Sequence, residues 1–273
     1  MRRSTTSAAT DRARSRHRLA ALLGAEALCA VLVIGGAYPT APTPPALAAP
    51  SASVASGEPT ADSPELRTLT TPDGRRAQLI DLGGGAAPLL DRIAAELPAA
   101  EGAVTAFWGP QWPKDIPIVV AGSPEQFAAL AGAGPDTAAT TTAERITFSP
   151  AATAMDAGDL RIVLRHELFH YAARSGTAAD APVWLTEGVA DYVGRPAPSG
   201  RIDAPTRLPT DAELSTPGPG RSQAYDRAWS FATFVAQTYG PHRLRELYVA
   251  ACGPGHPDAA TAVRTVLGID LPS

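Results

Sequence analysis

The string His166-Glu167-Leu168-Phe169-His170 constrains this chain more than any other feature, because it lies where Leu160, Val163, Leu164, Leu168 and Phe169 recur at helical spacing. On a helix, residues four apart share a face, so both imidazoles can address one metal ion, and Glu167 lies within reach of a water on that ion. The pattern predicts a helix from Asp159 to about Arg174, with Gly176 as its stop. A catalytic zinc site needs a third protein ligand and one open position for water, so the fold must bring a further side chain to this helix.

Two carboxylates compete for that place. Asp180 follows Gly176-Thr177 but lacks the Tyr-Gly that would normally come after such an aspartate. Glu187 is the better candidate, since Trp184-Leu185-Thr186-Glu187-Gly188-Val189-Ala190-Asp191-Tyr192 reads as a second apolar helix starting just after Pro182. Asp191 falls four residues beyond Glu187 on the same face, where it could accept the free ring N–H of a ligand histidine and fix its tautomer. Trp184 and Leu185 read as core. A longer histidine motif with Gly at 173 and His at 176 is excluded by Ala173 and Gly176.

The stretch 164–192, with its HELFH and WLTEGVADY, resembles the peptidase MA superfamily, the gluzincins, as found in many exported bacterial proteins. The resemblance extends weakly to Ile116-Pro117-Ile118-Val119-Val120-Ala121-Gly122 and to residues 224–240, about half the chain. It implies a zincin-like fold, with His166, His170 and Glu187 as ligands of Zn2+, Glu167 as general base, Asp191 behind a ligand, and peptide or protein as substrate. Such enzymes usually add a tyrosine or histidine that stabilises the oxyanion, and the candidates are Tyr225, His242 and His256. Tyr225 is preferred, as it opens a helical pattern through Trp229, Phe231, Phe234, Val235 and Tyr239 that ends at Gly240-Pro241. The reading from another class is a non-catalytic exported domain that keeps zinc for stability or envelope binding; the intact Glu167 speaks against it, since a structural site has no need of that carboxylate.

The rest of the sequence frames this site. With 273 residues, the chain can bury a sizeable core. Its net charge of -4 includes Arg2, Arg3, Arg12, Arg14, Arg16 and Arg18, so the remainder is distinctly acidic, which argues against nucleic acid as a partner. Behind those arginines, residues 19–37 are apolar except for Glu26, and a Pro-rich stretch follows. That order predicts export: residues 1–48 form a signal peptide cleaved after Ala46-Leu47-Ala48, or else an uncleaved membrane anchor through 19–37. The product would be secreted or attached to the outer face of the cytoplasmic membrane. Residues 49–64 have little to bury and read as a tether. With Cys29 in the leader, Cys252 has no partner for a disulfide in the folded part and reads as a small buried apolar residue. Nothing in the sequence defines an oligomeric state.

Residues 65–273 are expected to form one α+β domain, a small mixed sheet plus a helical subdomain with the metal between the two motif helices. Strands are expected at 66–70 and 77–82 around Thr71-Pro72-Asp73-Gly74, at 116–121 and at 145–148. Helices are expected from Pro88 until Pro98 interrupts or restarts the pattern, and from a Ser123 cap through Leu130. Residues 132–142 and 196–221 read as loops, the latter bordering the cleft or forming a disordered insertion.

Overall fold

A computed structural model describes residues 65–83, 85–134 and 136–272. The leader and tether readings lie outside these residues. Among the described residues no helix is long and apolar enough to cross a membrane.

The architecture is α+β, a five-stranded mixed sheet beside a larger helical part. Strands β1 (Glu65–Thr70) and β2 (Arg76–Asp81) form the expected antiparallel hairpin, and β3 (Asp115–Val120) lies parallel to β2. β5 (Ile146–Phe148) lies parallel to β3, and β4 (Ala139–Thr141) closes the order β1-β2-β3-β5-β4 antiparallel to β5. β4 corrects the sequence reading, which has a loop there. Ala-Thr-Thr carries no apolar run of its own, and the strand exists because β5 pairs with it and the motif helix packs on it.

Helix α1 (Ala87–Trp108) crosses from β2 to β3 and runs straight through Pro98, where the sequence suggests an interruption. A proline inside a helix destabilises it by about 3 kcal/mol. Here Leu89, Leu90, Ile93, Leu97, Ala100 and Val104 are all buried along one face, and their combined burial outweighs that penalty. Helix α2 (Pro124–Ala131) is capped by Ser123, whose side chain accepts from Gln126 N at 3.1 Å.

The motif helix α3 (Ala157–Ala173) is capped by Asp156 and continues into a 3-10 turn at Arg174–Gly176. It is packed on several sides, by α1, by β4 and by α4 (Val183–Gly194), so its interior positions are buried almost throughout. The segment expected to be a loop from 196 to 221 holds the short helix α5 (Asp211–Ser215) and the first residues of α6 (Pro219–Tyr239). Thr210 and Glu213 form a reciprocal capping box that starts α5, and Leu214 anchors it in the core. The composition of the stretch suggests disorder, but these two local signals prevail. Helices α7 (Pro241–Cys252) and α8 (Ala259–Leu267), for which the sequence reading names no element, complete the fold. Cys252 is buried in α7, and burial pushes its thiol up to about 12, as suits an inert core residue.

Two glycines set the spacing of α4. A Cβ on Gly188 would come within 2.5 Å of the carbonyl oxygen of Ala228 on α6, and one on Gly194 within 2.9 Å of the carbonyl oxygen of Ile162 on α3. Alanine at 188 would gain about 1 kcal/mol of helix propensity but would force two backbones apart. Gly188→Ala is therefore expected to destabilise the domain by about 1–3 kcal/mol, read as a lower midpoint in urea unfolding; an unchanged midpoint would mean that the α4–α6 contact yields without strain.

Candidate metal centre

Helices α3 and α4 pack face to face and bring together the residues the sequence singles out. One ligand atom each from His166, His170 and Glu187 lies within 4.8 Å of the other two. His166 Nε2 is 3.1 Å from His170 Nε2 and 3.3 Å from Glu187 Oε2, while His170 Nε2 is 3.4 Å from Glu187 Oε1. Donors bonded at about 2.0–2.1 Å to one tetrahedral zinc ion stand about 3.3 Å apart, so the spacing fits. Donor chemistry fits as well: two imidazoles and one carboxylate are a catalytic zinc set, and the three carboxylates of Glu167, Glu187 and Asp191 around them carry negative charge that a divalent cation would balance.

Asp191 fixes the first histidine. Its Oδ1 accepts from His166 Nδ1 at 3.0 Å, which leaves the lone pair on Nε2, the atom that faces His170 and Glu187. Asp191 Oδ2 is held in turn by Arg195 at 2.5 Å, one helical turn further along α4. Burial lowers the Arg195 pKa, but the carboxylates of Asp191 and Asp226 outweigh it and hold the guanidinium above its ordinary range. Burial likewise pushes the Glu187 carboxyl up, yet the imidazoles of His170 and His166 beside it prevail and keep it below the usual carboxylate range.

Glu167 is buried at 0% exposure, one residue from the first ligand. Thr141 on β4 donates through its hydroxyl to Glu167 Oε2 at 2.7 Å and lies 3.0 Å from the Glu167 carbonyl oxygen. Sequence reasoning misses this residue, because the segment carries no strand signal and its nearness to Glu167 arises only in three dimensions. It also misses Arg195, although an arginine four residues after Asp191 on a helix is a signal that could have found it.

The other candidates fall elsewhere. Asp180 is 87% exposed and pairs with His256, its Oδ1 3.4 Å from His256 Nε2, so neither joins the ligand group. His242 is 77% exposed, beside Glu246. Tyr225 is wholly buried on α6, the helix that packs on α4.

No protein-family model matches the chain, and no curated protein matches it. Among solved structures, it is similar to a mutant of the M1 zinc metallopeptidase from Deinococcus radiodurans, with 19% identity, a TM-score of 0.42, and coverage of 76% of this chain and 49% of that one. The chain thus spans about half the length of that metallopeptidase. Likeness at this level decides nothing about activity.

Purified protein is expected to hold one zinc per chain by elemental analysis, lost in His166→Ala/His170→Ala. Glu187→Ala should lower occupancy and Asp180→Ala should leave it unchanged; the reverse order would make Asp180 the third ligand. Asp191→Ala is expected to weaken zinc affinity about 10–100-fold, measured by competition with a chelating dye.

Proposed function

We propose that this chain is a zinc-dependent peptidase of the gluzincin type that cleaves peptide bonds outside the cytoplasm, either secreted or held at the outer face of the membrane. The observation that carries the proposal is the convergence of His166, His170 and Glu187 beside a buried Glu167 whose carboxylate is held by Thr141. A zinc site that served stability alone would have no use for Glu167 or for a residue that orients it.

When bound, zinc would supply Lewis acidity to a peptide carbonyl and lower the pKa of a water at its open position. His166, His170 and Glu187 would hold it. Glu167 acts as general base, taking the proton of the attacking water and returning it to the amine as the C–N bond breaks, so that one peptide and one water give one acid and one amine. Thr141 fixes the rotamer of Glu167, which keeps the proton-accepting oxygen in one place. Tyr225 is the proposed donor to the developing oxyanion.

The sheet edge argues for an extended peptide as substrate. β4 pairs only with β5 among the described residues. Ser149 N donates to Ala138 O and Thr142 N to Arg145 O, so the alternation of an antiparallel ladder turns the N–H and C=O of Thr141 away from β5, while Ala139, turned the same way, is buried. An extended peptide would meet the Thr141 groups next to Glu167.

Glu167→Gln is expected to abolish hydrolysis of a denatured protein substrate, by 100-fold or more in kcat, while zinc content stays at one per chain. Loss of stability with no activity in the wild type would instead favour a structural zinc domain. Thr141→Val should lower kcat about tenfold with zinc retained, and an undiminished kcat would show that Glu167 needs no such support. Tyr225→Phe is expected to reduce kcat with KM little changed; activity equal to wild type would return Tyr225 to a packing role.

A further inference from the structure

Arg195 stands directly after the last turn of α4, and its backbone N–H donates to Asp191 O at 2.8 Å, which sets it one turn from that carboxylate. Its guanidinium reaches in two directions. One nitrogen lies 2.5 Å from Asp191 Oδ2, and another donates to Asp226 Oδ1 of α6 at 2.7 Å. The group also lies 5.4 Å from the ring centre of Trp229, less than one turn beyond Asp226 on α6.

The two carboxylates stand in different surroundings. Asp226 is 55% exposed, so water can replace Arg195 beside it, and an ion pair of that kind contributes little. Asp191 has 0% exposure, and among the described residues no other arginine or lysine pairs with it. A buried carboxylate that loses its cation has no solvent to turn to.

Orientation follows from the same contact. Asp191 Oδ1 accepts from His166 Nδ1 at 3.0 Å, and the terminal torsion of an aspartate is broad, so one hydrogen bond alone fixes its carboxylate poorly. With Arg195 on Oδ2, both oxygens are assigned. The direction in which His166 turns its Nε2 is thereby tied to Arg195, and the partner behind a ligand histidine governs how well it holds a metal.

We propose that Arg195 is a positioning residue of the metal centre: its arm to Asp191 holds that carboxylate against His166 and sets the affinity for zinc, while its arm to Asp226 leaves the metal untouched. One side chain thus carries two contacts whose effects can be separated. The inference rests on the reading of His166, His170 and Glu187 as zinc ligands and is independent of peptide hydrolysis.

The test measures zinc affinity of the purified full-length chain by competition with a chelating dye, with folding of the metal-free protein followed by urea unfolding in EDTA. Wild type is compared with Arg195→Met, Asp226→Asn, Asp191→Ala and the double variant Arg195→Met/Asp191→Ala. Methionine keeps the apolar length of the side chain and removes both arms. Arg195→Met is expected to weaken zinc binding about threefold to tenfold, less than Asp191→Ala does, and to add nothing once Asp191 is alanine. Asp226→Asn should leave the affinity within about twofold of wild type. Should Arg195→Met not fold, Arg195→Gln takes its place in the same cycle. Zinc held by the folded Arg195 variant as tightly as by wild type, a loss that adds in full to that of Asp191→Ala, or equal weakening in Asp226→Asn would each overturn the role of Arg195 and leave the metal centre standing. A wild type that binds no zinc would overturn both.

Discussion

The close seating of α4 between α3 and α6 is the constraint on which the rest of the structure depends. Backbone meets backbone on both sides, at Gly188 against Ala228 and at Gly194 against Ile162, where a single methyl group would not fit. That approach sets how far Glu187 stands from the two histidines of α3. Metal sites tolerate errors of only a few tenths of an ångström in their bonds, so a helix held off by one side chain would carry Glu187 out of range. The glycine directly after Glu187 is thus part of the site's geometry, although it has no side chain to offer it.

Asp191 closes the same joint from the polar side. It accepts from His166 on one helix and is braced by Arg195 on its own. Both groups are buried, and neither is favourable there alone, since stripping a charge of water costs several kcal/mol unless a partner meets it. Together they orient one imidazole and anchor the C-terminal turn of α4. The sheet contributes from the opposite side through Thr141, so the two halves of the α+β fold meet at Glu167.

What the sequence makes legible follows from how local each signal is. His166, Glu167 and His170 lie within five residues on one helix, so their spacing alone implies a shared target. Glu187 and Asp191 need one more step, a second helix with the right face, and an apolar pattern opening after Pro182 supplies it. The helix through Pro98 is less legible, because only the burial of Leu89 to Val104 along one face shows that the proline is tolerated. β4 and Thr141 are illegible by nature: Ala139-Thr140-Thr141 has no preference strong enough to announce a strand, and pairing with β5 decides it from outside the segment. The capping box of α5 is a different case, since Thr210 and Glu213 carry their signal in plain sequence within a stretch whose Pro and Gly content obscures it.

At the metal centre buried charge is concentrated, with imidazoles against Glu187, His166 against Asp191, and Asp191 against Arg195. Arg195 cannot be traded away, because Asp191 would then be left buried without its cation and His166 would lose a firm support. The guanidinium therefore has to remain at the C-terminal end of α4, and the orientation of His166 depends on a residue on the other motif helix.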